Sequence, residues 1–526
     1  MSKRGERAQG NRETRRRAAT PDRAAGPKAA VAVAGGLALA ALLAQVVGGS
    51  GAGSIEPIVD EIRTAELACP APVVTGADAR SAVTMVAPVA AAELAQAKAT
   101  EGAGADQATE PARTGAATLN DLGKLGSAGA RAKLGAPGRT ALDVSRVAAP
   151  QLARGTGTLA PGLAAELVTA GRSGTARGLE ALACAPASPV AWFVGASTTA
   201  GRRDRLVLTN PENIPATIDL RFWDENGPVP APANSTGIDV PAQKSVSIPL
   251  DGMSPGHQRL GVSVIATNGR VSAALHDIDE RGVQPRGVDW IAPTFAPARN
   301  VVLPGLPDGK LGRTLQLLVP GDTDAIVKVR VLTPDNSFAP AGLDNVEIKA
   351  GQVVEYDLAK AAETAASAVV VTSDRPVLAV VRLTRSANGQ ADIGYATAAP
   401  PLVAPAAIPA GQGAAGTATR LILAAPRGDA EVTLTLGAGG AGMSSTVKIP
   451  AGRAVLVDPV PKGGKPGAAY SILIAPGPAS GPVYVARVMR GGTVDLTVTT
   501  VLPGRFTVSI PGIEPDLTAV VPQSRP

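Results

Sequence analysis

A chain of 526 residues in which 45% of side chains are apolar has room for several domains, and it is too apolar to be a disordered or collagen-like polymer. Only 12 side chains are aromatic while 106 residues are Gly or Pro, so Ala, Val and Leu carry the hydrophobicity. Two cysteines and two histidines exclude a four-cysteine zinc site and a multi-cysteine iron–sulfur centre, and the net charge of +6 is unevenly placed.

Residues 1–28 hold nine Lys or Arg against Glu6, Glu13 and Asp22, which accounts for the entire excess; the remaining 498 residues carry 41 charges of each sign. A basic tail on a neutral body argues against nucleic acid as a partner. Residues 29–49 follow without a single charge and would span about 31 Å as a helix, enough for a bilayer core. With the basic residues on its N-terminal side, this predicted transmembrane helix leaves the tail cytoplasmic and everything downstream extracytoplasmic. A cleaved signal peptide is the competing reading, since Ser50-Gly51-Ala52 offers small residues to a peptidase. Both readings export the bulk of the chain.

Outside the membrane a lone pair of cysteines oxidises, so Cys69 and Cys184 are expected to form a structural disulfide. Residues 50–92 read as a lead-in with one strand near residue 85. Between the cysteines, residues 93–183 are rich in Ala and Gly and contain no aromatic side chain, so they read as a flexible insertion whose ends the disulfide ties.

From Pro189 onward the text repeats. DRLVLTNPENIPATIDLRFWDENGPV, RTLQLLVPGDTDAIVKVRVLTPDNSFA and TRLILAAPRGDAEVTLTLGAGGAG are successive versions of one stretch. Pro211, Pro320 and Pro426 are 109 and 106 apart, and Val271, Val377 and Val483 are 106 and 106 apart. Within each unit the period is two: Ile218, Leu220 and Phe222 alternate with polar residues, as do Val327, Val329 and Val331, and then Val432, Leu434 and Leu436. Turn residues recur about every ten positions. This is the pattern of an all-β protein with three tandem immunoglobulin-like β-sandwich repeats, at 184–288, 289–394 and 395–500, followed by a C-terminal strand and tail at 501–526. FTVSIPG near the end and ARSAVTMVAPV near residue 85 could together close an edge, which keeps a ring of repeats as the architectural alternative. Trp192, Trp290 and Tyr395 are expected near the starts of the units. Alternation turns Trp223 away from the face of Phe222, so it is expected outside, where it could contact a neighbouring domain or a partner.

The segment AWFVGASTTAGRRDRLVLTNPENIPATIDLRFWDENG, with PAQKSVSIPL and the later TSDRPVLAVV, resembles the actinobacterial membrane-anchored family catalogued as domain of unknown function 5719. Trp192, Asn210, Pro211, Pro215 and Ala216 carry the likeness in the first unit, and Arg375, Pro376 and Val377 in the second. The second unit has Val319-Pro320 and the third Ala425-Pro426 where the first has Asn-Pro. The resemblance implies a bacterial envelope protein and no established activity.

Four short motifs imitate chemistry. GMSPG, Gly252 to Gly256, followed by His257, spells a nucleophile elbow, but the residue after Ser254 is Pro255, which has no N–H for an oxyanion hole. GQGAAG from Gly411 and GAGGAG from Gly437 match a dinucleotide fingerprint, yet neither precedes a helix. His276 has Asp277, Asp279 and Glu280 beside it, a weak metal signal. No catalytic, cofactor or metal residue is therefore assigned. The expected role is a non-enzymatic, single-pass membrane-anchored structural or interaction protein of the cell envelope. The alternative is an accessory module that binds carbohydrate or cell-wall polymer through Trp223, Trp290 or Tyr395. A catalytic role would require His257 or His276 to meet a carboxylate and a nucleophile.

Overall fold

Alternation becomes structure most plainly at Ala325–Leu332, a strand that buries Val327, Val329 and Val331 and exposes Lys328 and Arg330. The computed structural model describes residues 58–73, 78–88, 114–124, 129–138, 140–143, 147–410, 417–438, 441–460 and 470–510. The basic tail and the expected membrane-spanning helix at 29–49 lie outside these residues. Among the described residues no helix is long and apolar enough to cross a membrane. Val59–Val508 form one compact unit; of the second, which comprises the chain termini, only Ile58, Ser509 and Ile510 are described.

The chain is all-β, and among the described residues the repeat occurs four times rather than three. One repeat is built from Val190–Ala196, Arg205–Asn210, Ala216–Trp223, two short strands at Pro228–Val229 and Ile238–Val240, then Lys244–Pro249, Leu260–Asn268, Ser272–Arg281 and Gln284–Ile291. Counting the two short pieces as one fourth strand, one sheet runs first–sixth–third–fourth and the other fifth–second–seventh–eighth, all antiparallel. The same order recurs over residues 298–397 and 406–500. It recurs also over residues 64–183, from Thr64–Cys69 to Gly178–Ala183. We number these sandwiches 1 to 4 from the N-terminus. The first two strands of each lie in different sheets, whereas the immunoglobulin arrangement keeps them in one, so that expectation is corrected.

The flexible insertion is corrected as well. Its residues from 116 to 183 supply six strands of sandwich 1, with Leu119, Leu152, Leu159 and Leu167 buried. Small side chains disguised them, because Ala and Gly reach a core only when backbones lie close. ARSAVTMV is an internal strand of that sandwich, Arg80–Val86, paired with Thr140–Asp143 and Ala164–Gly171. The late segment Thr507–Ile510 pairs instead with Ile58–Glu61. Trp290 and Tyr395 stand on last strands, not at starts, so the boundaries expected at 289 and 395 cut through the ends of sandwiches 2 and 3.

The second sheet of each sandwich is covered on both faces. In sandwich 2, Leu206, Leu208 and Leu275 face their own core, while Val207 and Ala274 point the other way into the core of sandwich 1. Leu318, Leu378 and Val380 of sandwich 3 enter the core of sandwich 2, and Ile422, Ala424 and Val488 of sandwich 4 enter that of sandwich 3. Continuous apolar runs such as Arg205–Asn210 follow from two-sided burial, and alternating ones such as Ala325–Leu332 from one-sided burial. Each Leu or Val so buried is worth roughly 1.5–3 kcal/mol. In sandwich 3 the sixth and seventh strands are one, Ser367–Ala387, whose residues 368–373 serve one sheet and 378–384 the other. The Arg375-Pro376-Val377 step lies where it changes sheets, and there a proline without an N–H removes no ladder bond.

Candidate functional site

The last strands of the four sandwiches, Gly178–Ala183, Gln284–Ile291, Gln390–Thr397 and Asp495–Thr500, run beside one another around a common axis. They approach so closely that a Cβ on Gly287 would collide with the backbone nitrogen of Ile393, and one on Gly178 with the Asp392 carboxylate. Asp392 is fully buried there and accepts one backbone N–H from every sandwich: Leu179 at 3.0 Å, Val288 at 3.3 Å, its neighbour Ile393 at 3.0 Å and Leu496 at 3.0 Å. Asp289 accepts from the N–H groups of Ala181 and Trp290 and from the Thr497 hydroxyl. Burial pushes both carboxyls well above their usual range, with these donors pulling the other way.

Charged pairs also cross the boundaries. His276 Nε2 lies 2.6 Å from Glu180 of sandwich 1 and its ring meets Trp290 edge-on at 4.6 Å. Asp277 joins Arg202 at 2.8 Å and the Tyr395 hydroxyl of sandwich 3, while Asp279 pairs with Arg382. Burial raises the Asp277 carboxyl, but the Arg202 guanidinium together with Asp204 and Arg382 reverses this and holds it below its ordinary range. Burial and the neighbouring Asp277 push Asp204 up. The acidic residues around His276 thus have separate cationic partners, Arg202 for Asp277, Arg382 for Asp279 and Arg203 for Glu280. Among the described residues no group of three His, Cys, Asp or Glu could hold a metal ion.

Of the residues singled out by sequence, Cys69 and Cys184 are disulfide-bonded across 115 positions, within the core of sandwich 1. Trp223 does turn away from Phe222 but, as a correction, is not exposed: it is buried, 5.4 Å from the Trp192 ring, on the face where its paired residue Gly261 abuts Leu318 of sandwich 3, so the neighbouring sandwich covers it. Trp290 and Tyr395 are also buried. Asn210 organises its turn, donating to the carbonyls of Ile214 and Val240 and accepting from Glu212 N–H. Of GAGGAG, Gly437 and Ala438 pair with Gly442 and Ala441 on the strands Ala430–Ala438 and Ala441–Ile449, whereas Gly439, Gly440 and GQGAAG lie outside the described residues.

One constellation does meet the catalytic requirement. At the loop end of sandwich 2, Ser254 Oγ lies 2.8 Å from His257 Nε2, and His257 Nδ1 lies 2.8 Å from Asp224 Oδ2. Ser254 follows the single helical turn Leu250–Met253, and Asp224 follows the third strand. Asp224 Oδ1 accepts the N–H groups of Asn226 and Gly227, and the His257 N–H donates to Thr198 Oγ1. Although burial works against it, these bonds and His257 hold the Asp224 carboxyl below its usual range. Ser254 is buried and His257 is half-buried, between exposed Pro255, Gly256 and Gln258. The S-x-x-H spacing was visible in sequence; Asp224, thirty residues earlier, was not.

A second feature is a cavity of about 460 Å³ between sandwiches 4 and 1, lined by Leu67, Leu163, Ala165, Ile408, Pro409 and Leu502 among others. Glu166 at its wall forms a buried ion pair with Arg487 and accepts from Thr499. This contact returns the fourth sandwich to the first.

The class defined by this geometry is a closed array of four two-sheet β-sandwiches joined by buried polar contacts. The chain belongs to the family of unknown function DUF5719, whose model matches residues 140–460. No curated protein matches it. Among solved structures it is similar to the crystal structure of Thermotoga maritima 1070, with 18% identity over 20% of this chain and 95% of that one and a TM-score of 0.18. A biofilm-associated protein BSP domain shows 8% identity over 86% and 99% at a TM-score of 0.13. A tetra-tandem repeat from the extending region of a large adhesion protein shows 14% identity over 77% and 93% at 0.10.

Proposed function

We propose that this chain is an extracytoplasmic scaffold of the bacterial cell envelope, tethered by a single N-terminal membrane span at residues 29–49 and presenting the loops of its sandwiches to an envelope protein or polymer. The observation that carries the reading is the Cys69–Cys184 bond, which suits an oxidising compartment, on the C-terminal side of an uncharged run flanked by basic residues. Polar groups in the core are spent on holding the sandwiches together, as a rigid presenting surface requires. The carbohydrate-platform alternative gains nothing from Trp223, Trp290 and Tyr395, because all three rings are in the core. Protease accessibility on intact cells, with a tag at each end, tests the topology. The C-terminal tag should be shaved while the N-terminal tag stays on a short protected fragment; protection of the C-terminal tag in cells with a permeable wall would reject the proposal.

A further inference from the structure

Ser254, His257 and Asp224 are joined in the order that activates a hydroxyl: Oγ to Nε2 at 2.8 Å, then Nδ1 to a carboxylate at 2.8 Å. We propose that Ser254 is a nucleophile that takes the acyl group from small carboxylic esters reaching the loop end of sandwich 2, with His257 as general base and Asp224 as its orienting partner. The roles follow from geometry. The Asn226 and Gly227 N–H groups fix the carboxylate, and its other oxygen meets Nδ1, which therefore carries the proton and leaves Nε2 free to accept one from Ser254. Two further contacts hold the imidazole in place through its backbone, from His257 N–H to Thr198 Oγ1 and from Ser197 Oγ to the His257 carbonyl.

In the step proposed, Oγ bonds to the ester carbonyl carbon as its proton passes to Nε2. The carbon–alkoxide bond then breaks, and the same proton leaves with the alcohol. Water reverses the sequence, with His257 again taking the proton, and releases the acid from Ser254. Ester and water become acid and alcohol, with no other reactant.

Pro255 offers no N–H to the developing oxyanion, and the Ser254 and Gly256 N–H groups are already given to the carbonyls of Leu250 and Thr198. Loss of one such donor costs about 10²–10³ in rate, so turnover should be slow and the reaction best seen as covalent labelling. Ser254 is itself buried and the His257 side chain is only 18% exposed, so access favours small, activated acyl groups over bulky ones.

The test is labelling of the full-length, oxidised chain with a fluorophosphonate probe, with peptide mass spectrometry to locate the adduct. The expected result is an adduct on Ser254, none in Ser254→Ala, and labelling at least tenfold slower in both His257→Gln and Asp224→Asn. Each variant is checked by thermal melting, and the two relay variants serve separately should one fail to fold. Wild-type chain that labels no faster than Ser254→Ala, or a folded His257→Gln that labels at the wild-type rate, overturns the proposal and leaves the three residues as a loop-bracing cluster.

Discussion

Glu166 of the first sandwich and Arg487 of the fourth, 321 residues apart in the chain, form a buried ion pair. Between the other neighbours, apolar side chains pass from one sandwich into the core of the next; here a cavity lies beside the pair. The contact between the ends of the array thus combines an ion pair and a cavity with a small apolar cluster, Met489 against Val168, Leu179 and Ala181.

Removing one partner of that pair leaves an uncompensated buried charge, which costs about 3–5 kcal/mol. Arg487→Met should destabilise the chain by this order in urea unfolding. The double variant with Glu166→Leu should recover most of the loss. A double variant no more stable than the single one would show that the pair contributes by attraction rather than by mutual neutralisation.

Asp392 sets a steeper series. Asp392→Ala leaves four N–H groups from four sandwiches without their acceptor, at roughly 1–3 kcal/mol each. That is comparable with the whole stability of a domain. Asp392→Asn keeps one carbonyl oxygen and should fall between wild type and Asp392→Ala in denaturation midpoint. Equal midpoints for the three proteins would mean that water replaces the carboxylate without cost.

The dependence on pH has two arms. Asp204, Asp289 and Asp392 have folded-state values raised by burial, so their contribution is complete below about pH 4, the unfolded carboxylate range, and is lost as pH rises through the raised values. Asp277 and Asp224 are lowered, so theirs is complete above about pH 4 and is lost on acidification. Stability should peak in mildly acidic buffer and decline toward neutrality. Urea midpoints that rise steadily from pH 4 to 7 would contradict this.

Reduction of Cys69–Cys184 should act on sandwich 1 before the others. In the chain-entropy model a closed loop of about 100 residues contributes up to ~4.7 kcal/mol. Limited proteolysis of the Cys69→Ser, Cys184→Ser variant should cut first within residues 64–183. First cleavage in sandwich 3 or 4 would show that the disulfide acts on the array as a whole.

The sequence by itself determined the strand content, the period near 105 residues and the cysteine pairing. Alternation at Val327, Val329 and Val331 reports a one-sided face wherever it occurs. It could not reveal sandwich 1, whose strands, such as Ala164–Gly171, are built of small residues that look like linker until their neighbours are known. Acidic residues inside apolar runs, Asp289 in GVDWIA and Asp392 in ADIGYA, were a readable sign of buried polar contacts, but not of which N–H groups they meet. Period two put Trp223 on the outer side, opposite Phe222, but could not tell that a neighbouring sandwich covers that side. The axis, the four donors on Asp392 and the meeting of Asp224 with His257 were decided by tertiary structure alone. Local periodicity encodes which way a side chain points; its partner is set by how distant strands pack.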